Sequence, residues 1–329
     1  MAGNHISYIL RRLVSALFTL WVALTINFLI PRVMGGDPAE YIASTTAMGS
    51  QEYADILRER FGLDKGIAEQ YIRYLGQLLK GDMGISFSTY PVPVADIITR
   101  AMPWTLLIVL SSILISFAVA WVLGVLAALK KGSLFDQAMV GVSYYLQSTP
   151  YFYISMILIM SLAYHLGVFP LAHAMPTGLP YDTPWYMLVG PVIYHAFLPV
   201  FSLIIVSLAG RMVMMRSNIL QIFSEDYITL AQAKGLRRGT ILTKYALRNA
   251  LLPSFTSLML NLGNAVGGAI TTEMIFSYPG IGYTIMNAIH AQDYPLIQGC
   301  FAIIAVSVVV MNLLADLIYP LLDPRVALS

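Results

Sequence analysis

The chain has 329 residues, 58% of them hydrophobic and 11% charged, with a formal net charge of +2. Soluble domains carry about 25% charged residues, so this chain cannot cover its own apolar surface with charge, and lipid must be part of its solvent. So small a net charge makes no case for nucleic acid, and the single cysteine, Cys300, excludes an internal disulfide.

Six windows are apolar enough to cross the hydrocarbon as helices of roughly 20 residues: about 10–30, 104–129, 138–166, 187–210, 253–275 and 297–320. None shows the period-two alternation of a barrel strand, so helices are the closed backbone structure expected in lipid. The predicted fold class is an all-α polytopic membrane protein with six transmembrane helices. The first window follows Arg11 and Arg12; its apolar run from Leu13 to Ile30 is longer than a signal-peptide core and lacks a small-residue cleavage site, which predicts a retained span.

Residues 32–103 come next, long and mixed in charge. Helical periodicity over "SQEYADILRERFGLDKGIAEQYIRYLGQLLKGDMG", broken at Gly62, Gly66 and Gly81, predicts a small helical subdomain. The third window carries Gln147, Ser148 and Thr149 just before Pro150, which removes a backbone bond and bends the helix. In the fourth, His195 is expected to serve packing or a hydrogen bond. The fifth contains "NLGNAVGGAITTE": Gly263 and Gly267 at four-residue spacing suit close helix approach, with Asn261 and Asn264 placed to hydrogen-bond across it. These polar groups read equally as helix-packing contacts or as the lining of a path for a polar solute. Cys300, in the sixth, is expected to be a buried bystander.

Basic residues set the orientation. Arg11 and Arg12 precede the first window, Lys130 and Lys131 follow the second, and Arg325 follows the sixth. Arg211, Arg216, Lys234, Arg237, Arg238, Lys244 and Arg248 lie between the fourth and fifth, whereas 167–186 and 276–296 contain no Lys or Arg. Both termini are therefore expected in the cytoplasm and residues 32–103 outside.

The 211–252 segment is more than a connector. Ser224 is a candidate N-cap, with Glu225 and Asp226 in the first turn, where the helix dipole favours acids. The helix runs through "YITLAQA" to Gly235, the expected left-handed terminator, with Leu236 folding back on Leu230 or Ala231. Ala231 and Ala233 keep the tip beside Lys234 small. A second helix is expected to about Asn249, with Arg237, Lys244 and Arg248 on one stripe with Ile241.

Catalytic and energetic machinery is missing from the sequence. No Gly-Lys dipeptide exists to close a phosphate-binding loop, and His5, His165, His173, His195 and His290 lack metal-ligand spacing. Glu273 and Asp316 lie toward the ends of their windows, where ion-coupled carriers place carboxylates near the midplane. An ion-coupled secondary transporter and a membrane-embedded enzyme are thus the weaker alternatives.

"AQAKGL" at 231–236 followed by "ALRNALLP" resembles the cytoplasmic loop of ABC importer permeases of the dipeptide/oligopeptide branch. "GDP" at 36–38, "FGLD" at 61–64, "HAFLP" at 195–199, "FSYPGIG" at 276–282 and "DPR" at 323–325 extend the resemblance, in order, along nearly the whole chain. The general permease loop pattern is met in part: with Gly235 fixed, Thr229 stands for its Glu, Leu230 for its first Ala, and Arg248 for its Pro. The resemblance implies a type I importer permease fold in a single transmembrane domain over 1–329, with 211–252 as coupling loop and Glu225, Asp226, Ala231, Ala233, Lys234, Gly235 and Leu236 at the ATPase dock. It also implies a homologous second permease subunit, two cytoplasmic ATPase subunits and an extracytoplasmic solute-binding protein as partners, in a prokaryotic cell membrane. ATP and Mg would be bound by the ATPase partners, with no cofactor, metal or catalytic residue in this chain. Peptides are the default substrate of that branch; oligosaccharide, nickel and glutathione are the alternatives.

Overall fold

The computed structural model describes residues 2–33, 37–45, 51–180, 182–263, 265–267 and 269–322. Their regular elements are helical, apart from one isolated bridge between Ile85 and Pro93. Two compact units are formed by interleaved parts of the chain.

The first unit comprises residues 1–105, 266–270 and 279–313. It holds α1 (Ala2–Val33), α2 (Pro38–Thr45), α3 (Gln51–Phe61), α4 (Ile67–Leu79), the start of α5 (Val94–Leu129), α13 (Ile281–His290) and most of α14 (Tyr294–Leu322). The expected glycine breaks are present: Gly62 (φ 66°) ends α3, Gly66 caps the start of α4, and Gly81 (φ 75°) follows α4. Val94 and Ile98 of α5, Ile281 and Ile285 of α13, and Ile297 and Cys300 of α14 form a dry core. Cys300 is fully buried, as its setting predicts. A side chain at Gly299 would stand 2.4 Å from Val94 Cγ1, so α5 and α14 approach over a glycine. Asn27 of α1 donates to Tyr74 Oη of α4 (3.1 Å) and to the Gln298 carbonyl of α14 (2.8 Å).

The second unit comprises residues 106–265, 271–278 and 314–329. Its axis is α8 (Trp185–Phe223), against which α6 (Leu134–Ser148), α7 (Tyr151–Leu158) and α11 (Leu247–Gly263) pack. At Gly124 of α5 an added Cβ would meet Met215 Cβ at 2.7 Å and the Met212 carbonyl at 2.8 Å, so the α5–α8 contact exists because that residue is glycine. Asp136, nearly buried in the first turn of α6, takes two charge-assisted bonds from Arg216 of α8 at 2.5 and 2.8 Å and one from the Gly132 amide at 2.9 Å.

Among the described residues, four helices are long and apolar enough to cross a membrane: Leu10–Val33, Val94–Leu129, Trp185–Phe223 and Tyr294–Leu314. A fifth span results if Leu134–Ser148 and Tyr151–His165 count together, but these meet at 101°. The bend at Pro150 is therefore a break, far sharper than a kinked helix, because Thr149 is extended (φ −87°, ψ 125°), the conformation that a following proline favours. The expected 253–275 window is not one helix. Helix α11 ends at Gly263, a 3₁₀ turn covers Ala265–Gly267, and α12 covers Ile270–Ile275. Gly263 and Gly267 thus do not share one α-helical face, since the glycine-rich run ends the helix instead of packing it. The fourth window also differs: α8 continues through 210 to Phe223, as Met212, Met215 and Ile219 are buried along it.

Candidate coupling loop and polar groups of the spans

Helix α9 (Asp226–Ala233) follows α8 after a two-residue turn. Ser224 does not cap it: this residue ends α8 in a helical conformation and its Oγ donates to the Gln221 carbonyl at 2.6 Å. Glu225 is the N-cap, extended and without a side-chain cap bond. The expected Ser224 cap fails because α8 runs on into that position. At the other end the expectation holds. Gly235 has φ 73°, its amide donates to the Gln232 carbonyl (2.9 Å), and the Leu236 amide donates to the Ala231 carbonyl (3.3 Å). This is the paired 5→2 and 6→1 bonding of a Schellman terminus. Leu236 packs on the cluster of Ile228, Ala231, Ile241 and Ala246, closing on Ala231, while Leu230 points away, 56% exposed.

Ala231 is buried beneath the loop and only supports the tip, whereas Glu225, Asp226, Ala233, Lys234 and Gly235 are exposed. Sequence reasoning missed Tyr227 and Leu230, which are also exposed and lie three residues apart. Their signal was present: "DYITLAQA" carries apolar residues on both faces of a short helix, and one buried face uses only half of them. After Arg237 the chain forms α10 (Arg238–Thr240), a π-helical stretch over Ile241–Ala246, and α11 without interruption. The π stretch, with its wider turn, changes the angular register. Ile241 is buried, whereas Lys244 and Arg248 are exposed, so the predicted common stripe does not form.

The predicted path residues divide. Ser148 and Thr149 return their hydroxyls to carbonyls of Tyr144 (2.5 Å) and Tyr145 (2.9 Å) in their own helix, and Gln147 Nε2 donates to the Ser143 carbonyl (3.2 Å). Gln147 also lies against Gly210 of α8. Asn261 accepts from Arg211 Nη2 at 3.1 Å, and Arg211 donates as well to Ser116 Oγ and covers the Phe117 ring at 4.2 Å. Gln147 and Asn261 thus reach α8 at consecutive positions, 210 and 211. Asn264 lies outside the described residues. Sequence reasoning assigned Arg211 to a loop and missed it as a half-buried charge within the long helix α8, held by neutral groups. A second polar junction joins Tyr151 Oη to Ser202 Oγ (2.8 Å) and Thr272 Oγ1 (2.7 Å). His195 Nδ1 sits 3.1 Å from the His173 carbonyl, the predicted hydrogen-bonding role.

A chain of apolar spans with a capped, two-faced helix between them has a counterpart among known families. Residues 120–328 match the model of the binding-protein-dependent transport system inner membrane component, and residues 5–109 match the N-terminal model of such membrane components. The chain belongs to this permease family. The permease is 34% identical to the dipeptide transport system permease protein DppB of Escherichia coli, over 98% of each chain. It is 33% identical to the oligopeptide transport system permease protein AppB of Bacillus subtilis, over 97% of this chain and 99% of that one. Identity to the di/tripeptide transport system permease protein DppB of Pseudomonas aeruginosa is 35%, over 98% of each. The protein is therefore a multi-pass permease subunit of a binding-protein-dependent importer in the inner membrane.

Proposed function

We propose that this permease forms half of the translocation path of an ATP-driven importer of peptides. A second, homologous permease subunit supplies the other half, two ATPase subunits dock on residues 224–236, and an extracytoplasmic solute-binding protein delivers the substrate. The observation that carries the coupling assignment is helix α9, apolar on both faces. Ile228 and Ala231 bury one face against the permease, and Tyr227, Leu230 and Ala233 leave the other for a partner. Peptide as substrate is supported by the three relatives above, whose names specify dipeptide, oligopeptide and di/tripeptide transport.

ATP and Mg belong to the docked subunits, and this chain changes no bond. Six crossings with both termini in the cytoplasm are supported by the basic-residue distribution. In that arrangement the bent α6–α7 pair and the interrupted α11–α12 segment each count as one crossing, and residues 32–103 lie outside.

The test is uptake into proteoliposomes holding this permease with its second permease, ATPase subunits and binding protein. ATP-dependent accumulation of di- and tripeptides, with no response to proton or sodium gradients, is expected. Accumulation of oligosaccharides but not peptides would refute the substrate, and gradient-driven uptake without ATPase subunits would refute the coupling.

A further inference from the structure

A cavity of about 500 Å³ lies wholly within the first unit. That volume falls in the range of about 300–1,000 Å³ typical of small-molecule sites. Three guanidinium groups, from Arg32, Arg60 and Arg73, line it against a single carboxylate, Asp82. Asp82 is turned to the backbone, accepting from the Gly84 amide at 2.8 Å. Arg73 has no hydrogen bond or ion pair among the described residues, and Arg60 meets only the face of Tyr90, at 5.0 Å. Arg32 is held by neutral groups: its Nη2 and Nε donate to Gln70 Oε1 (2.7 and 3.2 Å) and its Nη1 to the Phe28 carbonyl (2.7 Å).

Three acids of this unit are engaged by another arginine. Arg58, in the same helix as Arg60, takes three carboxylates: Asp37 and Asp55 at 2.5 Å and Glu40 at 2.6 Å. Three arginines against one carboxylate around a cavity form an excess of positive charge, which an anion would compensate.

The walls are held in place before any ligand arrives. Asp293, fully buried at the start of α14, accepts from Ser86 Oγ, the Ser88 amide (2.9 Å), Ser88 Oγ (2.8 Å) and the Leu296 amide (3.2 Å). It thereby pins the 82–90 wall to α14. Asn27 fixes Tyr74 from the opposite side, and burial pushes that phenol up to about 12.

We propose that this cavity binds the carboxylate end of a short peptide, a reading that rests on the peptide substrate proposed above. Guanidinium forks match carboxylates in geometry as well as charge. Gln77, Gln298 and the rings of Tyr74 and Tyr90 offer amide and aromatic groups to the peptide bond and side chain. A lone acidic side chain reaching in from a docked protein would leave most of the volume empty.

The experiment uses the assembled transporter in lipid nanodiscs. Phenylglyoxal modification of each arginine is followed by peptide mass spectrometry, with a neutral dipeptide or its C-terminal amide present. The free dipeptide is expected to slow modification of Arg60 and Arg73 several-fold, the amide to have little effect, and exposed Arg100, outside the cavity, to react equally in all samples. Arg73→Gln should weaken the protection of Arg60 about tenfold, the loss of one charge-assisted pair. Equal protection by the amide, or none by either, would overturn the assignment. So would protection by the binding protein with no peptide present. Peptide uptake without protection discards the cavity and keeps the peptide substrate; protection without peptide uptake keeps the cavity and discards that substrate.

Discussion

At the scale of single residues, the structure separates side chains that hold the molecule together from those that only fit a pattern. Ser224 precedes two acids as an N-cap would, yet its hydroxyl serves the preceding helix. Loss of a true N-cap costs about 1 kcal/mol; Ser224→Ala is expected to cost less than about 0.5 kcal/mol, the usual limit at exposed sites without special contacts. Asp136 is the opposite case, with 4% of its side chain exposed and both oxygens engaged. Asp136→Ala leaves the one-fifth-exposed Arg216 guanidinium without its carboxylate, a loss of about 1–3 kcal/mol. Thermal unfolding in nanodiscs of fixed lipid composition should show a clear drop for Asp136→Ala and almost none for Ser224→Ala. The double variant Asp136→Ala, Arg216→Met should recover much of the loss, because the stranded charge is removed with its partner. A double variant no more stable than the single one would mean that the pair matters for another reason.

At the scale of elements, the unit from Glu225 to Leu236 is a short helix with a defined stop. A side chain at Gly235 would meet nothing within 4 Å, so valine there costs only backbone strain at φ 73°, about 1–2 kcal/mol or more for a branched residue. Gly235→Asn should be milder, since Asn visits that region. Ala233→Arg adds bulk at the exposed tip with no strain. All three should insert in the membrane as the parent does. Gly235→Val and Ala233→Arg are expected to lose co-purifying ATPase subunits, or to hydrolyse ATP without peptide uptake; parental coupling in both would reduce the loop to a connector. This stop was legible in sequence because its geometry is closed within six residues, and the glycine ends of α3 and α4 were legible for the same reason. The length of α8 was not. Hydropathy falls where Arg211 and Arg216 appear, but Asn261 and Asp136, distant in sequence, accept those charges and let the helix continue. Proline 150 announced a bend, whereas its 101° depends on where α6 and α7 each pack on α8. The arginine-lined cavity was invisible for a related reason: its walls come from α1, the α3–α4 region, the 82–93 loop and the start of α14, which no local pattern joins.

At the scale of the whole molecule, the orientation proposed above is supported by where charge and aromatic residues fall along the long helices. Helix α8 has 39 residues, about 58 Å at a rise of roughly 1.5 Å per residue, twice the hydrocarbon thickness of about 30 Å. Trp185 and Tyr186 are exposed at its start, residue types that favour the membrane–water interface. Arg211 follows 26 residues later, about 39 Å along the axis, close to the full bilayer thickness of about 40–45 Å. If the aromatic pair marks the outer interface, Arg211 reaches the inner one, and α9 with Arg237 stands in the cytoplasm. The segment 32–103 is then on the outer side. Arg60 and Arg237 are both exposed on the protein surface, so a reagent held outside the membrane distinguishes them by side and not by burial. In a Cys300→Ser background, an impermeant maleimide added to cells with a permeable outer layer should label Arg60→Cys and leave Arg237→Cys untouched. Permeabilising the inner membrane should bring Arg237→Cys to full labelling. Arg237→Cys labelled in sealed cells, with Arg60→Cys labelled only after permeabilisation, would invert the topology and place the proposed dock on the wrong side of the membrane for ATPase subunits.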